Sequence, residues 1–347
     1  MARLGDIATY INGYAFKPTD WSTEGLPIIR IQDLTGNSYQ ANRFEGDYDP
    51  KYEVNSGDVL ISWSASLGVY IWRGEKALLN QHIFKVQFDK EEVNKHFFVY
   101  QLECILNNAS SETHGATMKH LTKPVFDALT FYLPNIQEQN KIANELDKVT
   151  ELIGCRKQQL AKLDELVKSR FIEMFEDKGY PKLKWNEVFN TTTGKLDSNA
   201  MVVGGEYPFF TCAKEVFGID KYAFDQEALL LAGNNAAGKY DVKYYKGKFN
   251  AYQRTYVLGL KQNWSYQLFR YQLEDKLDYL QQQSLGGLTK YLTIKILGEL
   301  EFIVPPMDKQ DEFTAFVEQV DKSKFEIQKS LNQLETLKKA LMQKYFG

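Results

Sequence analysis

The sequence predicts an α+β protein. Two mixed, mainly β domains are joined by two long helices packed antiparallel as a coiled coil, and the whole is a pseudo-twofold tandem repeat. Three observations carry that expectation. The chain repeats itself, each copy closes with a proline-free heptad pattern, and each copy opens with short apolar and aromatic runs bounded by Gly, Asn and Asp.

The repeat is the strongest of the three. Residues 115–176 align without a gap on residues 286–347, an offset of 286 − 115 = 171. Gly115, Lys119, Leu121, Thr122, Leu129, Phe131, Pro134 and Gln139 find identical partners, as do Val149, Leu160, Leu163, Leu166, Lys168 and Phe175. These are 14 identities in 62 positions, where ordinary composition gives roughly four. Upstream the repeat is fainter. Leu60, Gly68, Tyr70 and Asn80 fall on Leu230, Gly238, Tyr240 and Asn250 at an offset of 170. Gly13 and Pro27 fall on Gly194 and Pro208 at 181, which puts 11 extra residues in the first copy between Pro27 and Leu60.

In chain order, the candidate strands are Pro27–Ile31, Asp58–Trp63, Gly68–Trp72 and Ile83–Phe88, followed by a helix at about Lys95–Asn107. A further strand, Ala128–Leu133, ends at Pro134. Proline is excluded from a helix interior, so the first long helix begins after it. Ile142, Leu146, Val149, Ile153, Leu160, Leu163, Val167 and Met174 mark its apolar seam. The second copy repeats the plan with strands Ala228–Ala232, Asp241–Tyr245 and Thr255–Leu260, a helix over Trp264–Gln282, and a strand Glu299–Val304 before Pro305–Pro306. Its long helix carries Phe313, Val317, Val320, Ile327, Leu331 and Leu334. Either helix, at about 38 residues, would be on the order of 57 Å long. Two equal seams favour packing on each other over packing each on its own domain. The segments are then a first globular domain (1–136), a central helix (137–178), a second globular domain (179–307) and a final helix (308–347).

Composition bounds the function. At 347 residues, two domains with their own cores are expected. Hydrophobic residues at 44% and charged residues at 25% exclude wholesale disorder. No apolar run is long enough for a membrane span, and the start MARLGDIATY lacks a secretory pattern. Cys104, Cys155 and Cys212 form no spaced pair, the usage of a reducing, cytoplasmic setting. A net charge of −3 gives no global argument for nucleic acid but leaves room for a local basic face.

Catalytic patterns fail one by one. Gly233-Asn-Asn-Ala-Ala-Gly238-Lys239 spells a phosphate-binding loop, but Tyr240 stands where magnesium needs Ser or Thr. A strand-like DVKYYKGKF follows it where a helix should point at phosphate. His114 and His120 lie across a Gly-containing turn that suits no zinc site. No hydrolase, metalloprotease or dinucleotide signature is present. No metal and no cofactor of this chain's own is expected.

Binding chemistry remains. Between Lys239 and Arg254 five basic residues (Lys239, Lys243, Lys246, Lys248, Arg254) face one acid, Asp241, with aromatics at Tyr240, Tyr244, Tyr245, Phe249 and Tyr252. Lys and Arg neutralise phosphate, while Asn, Gln and Arg offer the bidentate geometry that reads base edges. Asn234, Asn235, Gln253 and Arg254 are such groups; the matching region of the first copy holds Ser62, Trp63, Ser64, Ser66, Gln81 and His82. Lys119 and Lys290 share one G-x-x-x-K-x-L-T element, which suits a phosphate contact that positions without specifying. The expected DNA-contact set is Arg30, Ser62, Trp63, Ser64, Gln81, His82, Lys119, Asn234, Asn235, Lys239, Tyr252, Gln253, Arg254 and Lys290. A solvated strand face with its aromatics in the core is the competing reading.

At this point the chain resembles a known family, the specificity subunits of type I restriction–modification systems. The resemblance rests on Gly115-Ala-Thr-Met-Lys-His-Leu-Thr122 before a strand ending Phe131-Tyr-Leu-Pro134, then Ile136-Gln-Glu-Gln139 opening the helix and Met174-Phe175 closing it. The whole half is repeated, ending at Tyr345-Phe346, so the likeness covers essentially the full chain. The second copy departs mildly, with Pro305-Pro-Met-Asp-Lys-Gln310 for Pro134-Asn-Ile-Gln-Glu-Gln139. The resemblance implies two target-recognition domains, each reading half of a bipartite DNA site. It also implies helices that serve as spacer and as docking surface for two methyltransferase subunits, with restriction subunits joining the larger complex. The docking residues would be Ile142, Leu146, Val149, Leu160, Leu163, Phe313, Val317, Val320, Leu331 and Leu334. S-adenosylmethionine, ATP and magnesium would belong to the partners. Two readings from other classes stay open: a nucleotide-dependent enzyme built on Gly233–Lys239, and a coiled-coil scaffold for protein partners.

Overall fold

A computed structural model describes residues 1–36, 42–64, 66–111, 122–236 and 238–347. The chain forms two compact units, Met1–Gln158 with Lys329–Gly347, and Gln159–Gln328. Each unit therefore holds a portion of both long helices, Ile136–Phe175 and Met307–Phe346, which run 40 residues apiece.

In the first unit one antiparallel sheet has the strand order Thr9–Asn12, Ile83–Gln87, Val59–Ser62, Gly68–Ile71. A second has Arg43–Phe44, Leu26–Ile29, Ala77–Leu79 and Glu53–Val54, with Leu26–Ile29 parallel to Ala77–Leu79. The second unit builds the same path as a single six-stranded sheet: Phe189–Thr193, Thr255–Leu260, Phe224–Ala232, Val242–Ala251, Tyr207–Phe210, Phe217–Ile219. The difference is two strands: Phe224–Ala232 answers to the separate strands Glu53–Val54 and Val59–Ser62, and a second long strand is cut as well. Val242–Ala251 runs for 10 residues without a break. Its counterpart is cut into Gly68–Ile71 and Ala77–Leu79 by Trp72-Arg-Gly-Glu-Lys76, a polar turn in which the Trp72 ring folds over Gly74. The expected strands and helices are present with shifted ends. Ile31 opens a helical turn, because Asp33 accepts from the Arg30 N–H at 2.7 Å and caps it. The helix expected over Trp264–Gln282 is two, Tyr266–Asp275 and Leu277–Gln283.

Strand pairing refines the repeat. Ile61 pairs with Val69 as Leu231 pairs with Val242, so Val69 matches Val242 at an offset of 173. Ile29 pairs with Leu79 as Phe210 pairs with Ala251, an offset of 172 on the second partner. Gly68, Tyr70 and Asn80 are therefore not the counterparts of Gly238, Tyr240 and Asn250; those three identities are accidents of a fixed offset. Leu60 with Leu230, Gly13 with Gly194 and Pro27 with Pro208 hold. Gly13 and Gly194 meet the same steric demand: a Cβ would lie 2.0 Å from the Asn80 carbonyl oxygen and 1.8 Å from that of Ala251. Arg43 pairs with Pro27 as Gly218 does with Pro208, and Val54 with Ala77 as Phe224 does with Phe249, so the offset falls from 181 to 175 and then to 170 and the 11-residue surplus lies in the two connections on either side of Arg43–Phe44.

The 171 offset extends upstream of Gly115, to the identical runs Tyr100-Gln-Leu-Glu103 and Tyr271-Gln-Leu-Glu274. Packing explains both. The buried amide of Gln272 bridges the Ile303 backbone, donating to its carbonyl at 2.9 Å and accepting from its N–H at 2.7 Å. Gln101, with its amide turned as its neighbours require, does the same at Tyr132. Gln139 accepts from Asn94 N–H at 2.9 Å and donates to the Pro134 carbonyl at 2.8 Å; Gln310 does likewise with Ser265 and Pro305 at 2.9 and 2.8 Å. Asn94 and Ser265 in turn cap the following helices.

Within each unit the long helices run antiparallel. In the first, Glu145 meets Tyr345, Arg156 meets Ser330 and Lys157 meets Glu335. In the second, Asp164 meets Lys324 and Arg170 meets Glu312. Ile142, Leu146 and Val149 share a core with Leu341, while Phe171 and Phe175 pack on Phe313. Of the ten seam residues expected to dock partners, Ile142, Leu146, Val149, Leu163, Phe313, Val317 and Val320 belong to these helix-packing clusters. Ile142, Leu146, Val149, Phe313, Val317, Val320 and Leu331 are buried, and Leu160, Leu163 and Leu334 half-buried. Helix faces that remain exposed carry Leu152, Leu166, Ile172, Phe325 and Leu337.

Candidate nucleic-acid interface

In the second unit three loops converge on Gly233, at the end of strand Phe224–Ala232. Its N–H donates to the Arg254 carbonyl at 2.8 Å, and its own carbonyl accepts from Leu292 N–H at 2.8 Å. A Cβ here would lie 2.3 Å from the Arg254 carbonyl oxygen, so only glycine lets the strands close this far. The first loop leaves through Asn234–Asn235, which pair antiparallel with Lys290–Tyr291 of the third. The second, Tyr252–Thr255, is a tight turn closed by Thr255 N–H on the Tyr252 carbonyl at 2.8 Å. Asn234, Asn235, Lys239, Gln253, Arg254 and Lys290 are thereby gathered on one rim.

Gly233–Lys239 is a connection between sheet strands, and the strand Val242–Ala251 follows it. A phosphate loop needs a helix there and backbone amides free to face the ligand; Gly233 has spent both backbone groups on its neighbours. The nucleotide-enzyme reading lacks its geometry.

The basic stretch is mostly committed inside the unit. Lys243 pairs with Asp241 and reaches the Ala213 carbonyl at 2.8 Å. Lys246 pairs with Glu227 at 3.0 Å, and Lys248 lies over the Tyr222 ring at 4.7 Å. Tyr240 and Phe249 are buried, and Tyr244 donates to Glu227 at 2.7 Å, where burial and that carboxylate push its hydroxyl up to about 12. Of the five cations, Lys239, Lys248 and Arg254 are exposed with no side-chain hydrogen bond or ion pair among the described residues, and of these Lys248 is engaged by the Tyr222 ring. Tyr252 is half-buried and contributes its backbone N–H to the Phe210 carbonyl at 2.9 Å.

The first unit has the same station with other side chains. Trp63 N–H donates to the His82 carbonyl at 3.2 Å as Gly233 does to Arg254, and Gln81 N–H bonds Tyr14 at 2.8 Å as Gln253 N–H bonds Leu196 at 2.9 Å. Gln81–His82 thus correspond to Gln253–Arg254, an equivalence the fixed offsets hide. His82 sits at φ 75°, a left-handed conformation uncommon for a residue with a Cβ. Its Nδ1 is buried without a partner. Trp63 stacks on Phe84 at 5.6 Å and donates from Nε1 to Asn12 at 3.3 Å. Arg30, over the Trp21 ring at 5.3 Å, follows Ile29, whose carbonyl takes Asn80 N–H at 3.2 Å.

Two expected contacts are corrected here. Ser62 is fully buried and its hydroxyl is held by the carbonyls of Ser66 and Ser64. Ser64 is buried as well. Both shape the loop from beneath and present nothing outward. Lys119, with His114 and His120, lies outside the described residues. Sequence reasoning passed over Leu285, Leu288 and Tyr291, exposed on the third loop; the pair Gly286-Gly287 before a lone leucine was the available signal for a turn tip. Among the described residues no group of three or more His, Cys, Asp or Glu could hold a metal ion, and no helix is long and apolar enough to cross a membrane.

Comparison with known proteins gives a consistent result. The family model described as "Type I restriction modification DNA specificity domain" matches residues 1–165 and again 178–336. The EcoBI specificity subunit of Escherichia coli is 30% identical over 168 residues, 48% of this chain and 35% of that protein. The E. coli EcoDI specificity subunit is 35% identical over 158 residues, 45% and 33% of the two chains. The MjaVIII specificity subunit of Methanocaldococcus jannaschii is 27% identical over 197 residues, 54% and 45%. The aligned stretches thus span between a third and a half of these relatives. A solved type I S subunit from M. genitalium shares the fold with a TM-score of 0.65 at 16% identity, covering 99% of this chain and 95% of that one. A structure from work on assembly and conformational transition of the type I R-M system matches at 0.52 and 15%, covering 99% and 96%.

Proposed function

The chain belongs to the type I restriction–modification DNA specificity domain family, and from that premise we propose that it is the DNA sequence-recognition subunit of a type I complex. Residues 1–136 and 179–307 act as target-recognition domains, each reading one half of a bipartite site. Residues 137–178 and 308–347 serve as spacer and docking helices. The chain performs no chemistry itself: it directs adenine methylation or restriction by two methyltransferase subunits and by restriction subunits, which bring S-adenosylmethionine, ATP and magnesium. The complex works in the cytoplasm, where its DNA is.

The observation that carries this reading is the recurrence of one backbone station, Trp63–His82 and Gly233–Arg254, presenting Gln81–His82 in one unit and Gln253–Arg254 in the other. Glutamine pairs a donor with an acceptor and arginine pairs two donors, the patterns that match adenine and guanine edges, while Lys239 and Lys290 suit phosphate. Because the two stations differ in side chain, the half-sites differ in sequence. With a net charge of −3, the complex supplies part of the phosphate attraction from its other subunits.

Co-expression with its methyltransferase subunit, followed by sequencing of modified adenines in host DNA, tests the proposal. A bipartite motif with a fixed gap that vanishes without this chain is expected. Shortening the central helix by whole turns should change the gap and leave both half-sites alone. A complex that assembles but binds DNA weakly and without salt dependence would instead favour a protein scaffold.

A further inference from the structure

The third loop of the second unit has a feature that sequence recognition does not require. Leu285 and Tyr291 exchange backbone hydrogen bonds at 3.1 and 2.9 Å, closing a hairpin whose tip is Gly286-Gly287-Leu288-Thr289-Lys290. Gly286 adopts φ 101°, and a Cβ there would strike the Thr289 carbonyl oxygen at 2.2 Å. The outgoing strand is fixed on its other side by the ladder to Asn234–Asn235. Leu292 continues it onto Gly233, at 2.8 Å. The base of the tip is therefore held from two sides, and at its end Leu288 is 95% exposed. Leu285 and Tyr291 beside it are exposed too.

We infer that Leu288 is a wedge that enters the minor groove of the second half-site and parts a base step there. The inference rests on the chain being a DNA-recognition subunit. Its surroundings have the composition such wedges use: an apolar side chain at the tip, with a lysine and amide side chains at its flanks to meet phosphate and the groove floor. Lys290 and Asn235 face each other across the ladder, Asn234 faces Tyr291, and Arg254 is joined to the same glycine. No acidic residue lies between Ser284 and Lys295. A polyanion with an apolar interior is the partner that matches an exposed leucine on a loop whose base carries Lys290 and pairs with Asn234–Asn235. A protein partner would bury Leu288 equally well, and the experiment separates the two.

The test uses the full chain in complex with its methyltransferase subunit. The probe is a duplex carrying the methylated motif, with 2-aminopurine placed at successive positions of the half-site that Arg254→Ala alters. Binding should brighten the probe several-fold at one step, and Leu288→Phe should preserve that signal. Leu288→Ala should return it to the level of free duplex and weaken binding about tenfold, with the salt dependence unchanged because no phosphate contact is lost. A wild-type complex that binds the motif without brightening at any position overturns the wedge and leaves recognition standing. So does a Leu288→Ala complex that still brightens it. Should the alanine variant fail to assemble with the methyltransferase, the leucine is a protein contact and the inference is wrong. A wild-type complex with no salt-dependent affinity for the duplex removes the recognition reading itself, and the wedge with it.

Discussion

At Gln139 and Gln310 the two units do the same thing with the same atoms, to within the distances quoted; at Trp63 and Gly233, which are equally equivalent, they share only the backbone. The glutamines are buried polar groups whose every bond goes to a backbone group, tying the root of a long helix to the cap of a shorter one. Replacing either one strands two partners at once, so little else can occupy the position. Trp63 and Gly233 share only the N–H they present to the neighbouring loop; the packing around it differs, with room for an indole in one unit and none for a Cβ in the other. Polar satisfaction in the interior thus holds the frame constant, and the rim is free to carry a different side chain in each unit. For the proposed reading of two unlike half-sites this is a workable division, because binding specificity can change without touching the clamps that fold the domain.

The comparison breaks most visibly at the frame. Gln139→Ala and Gln310→Ala should each cost about 3 kcal/mol, since both leave buried backbone groups unpaired. Hydrogen exchange resolved by unit should show matching losses of protection in the unit that carries the change. A silent substitution at one of the two would show that the shared geometry is not shared energetics. Next in size is the rim. Arg254→Ala should relax one position of one half-site by about 1–3 kcal/mol, leaving the other half-site intact, and methylation sequencing reads both together; His82→Ala should do the reverse. Loss of specificity in both half-sites from either change would contradict independent reading.

Lys290→Ala is a smaller perturbation. It should weaken binding evenly across sequences and lower the salt slope by about one, without altering the motif. Smallest at neutral pH is the alkaline effect, which sharpens the frame comparison again. Burial pushes Tyr100 up to about 12 and moves its counterpart Tyr271 in the same direction. Unfolded tyrosine loses its proton near 10, so the stability these residues confer is complete below that pH and falls as pH rises through 10 to 12 and beyond. Tyr100→Phe should flatten this loss in the first unit, as followed by alkaline unfolding.

The repeat was legible because its identities sit on the frame. Pro134, Gln139, Val149 and Leu163 recur at one offset, since the clamp and the helix seam tolerate no insertion and allow exchange only at some positions, such as Ile142 for Phe313 and Asn94 for Ser265. The identical Tyr-Gln-Leu-Glu runs at 100–103 and 271–274 share that offset too, but their link to Tyr132 and Ile303 is made only in space. The basic stretch misled for a related reason. Alternation along a strand says that neighbours face opposite ways but not which acid waits on each face; Asp241 and Glu227 had already taken Lys243 and Lys246.

By itself the sequence determined the duplication, the two long helices, the mainly β units and the family, because those follow from periodicity and from residues the fold cannot exchange. Which residues share a rim was decided by the tertiary structure alone. Three loops meet at Gly233 through two backbone hydrogen bonds and a close approach that a Cβ forbids, and such contacts leave no periodic trace in the chain. They also cancel differently in each copy: the insertions in the loops shift the offset from 170 to 173 and then to 172, so Gln81–His82 and Gln253–Arg254 come into correspondence only when the strands that hold them are paired.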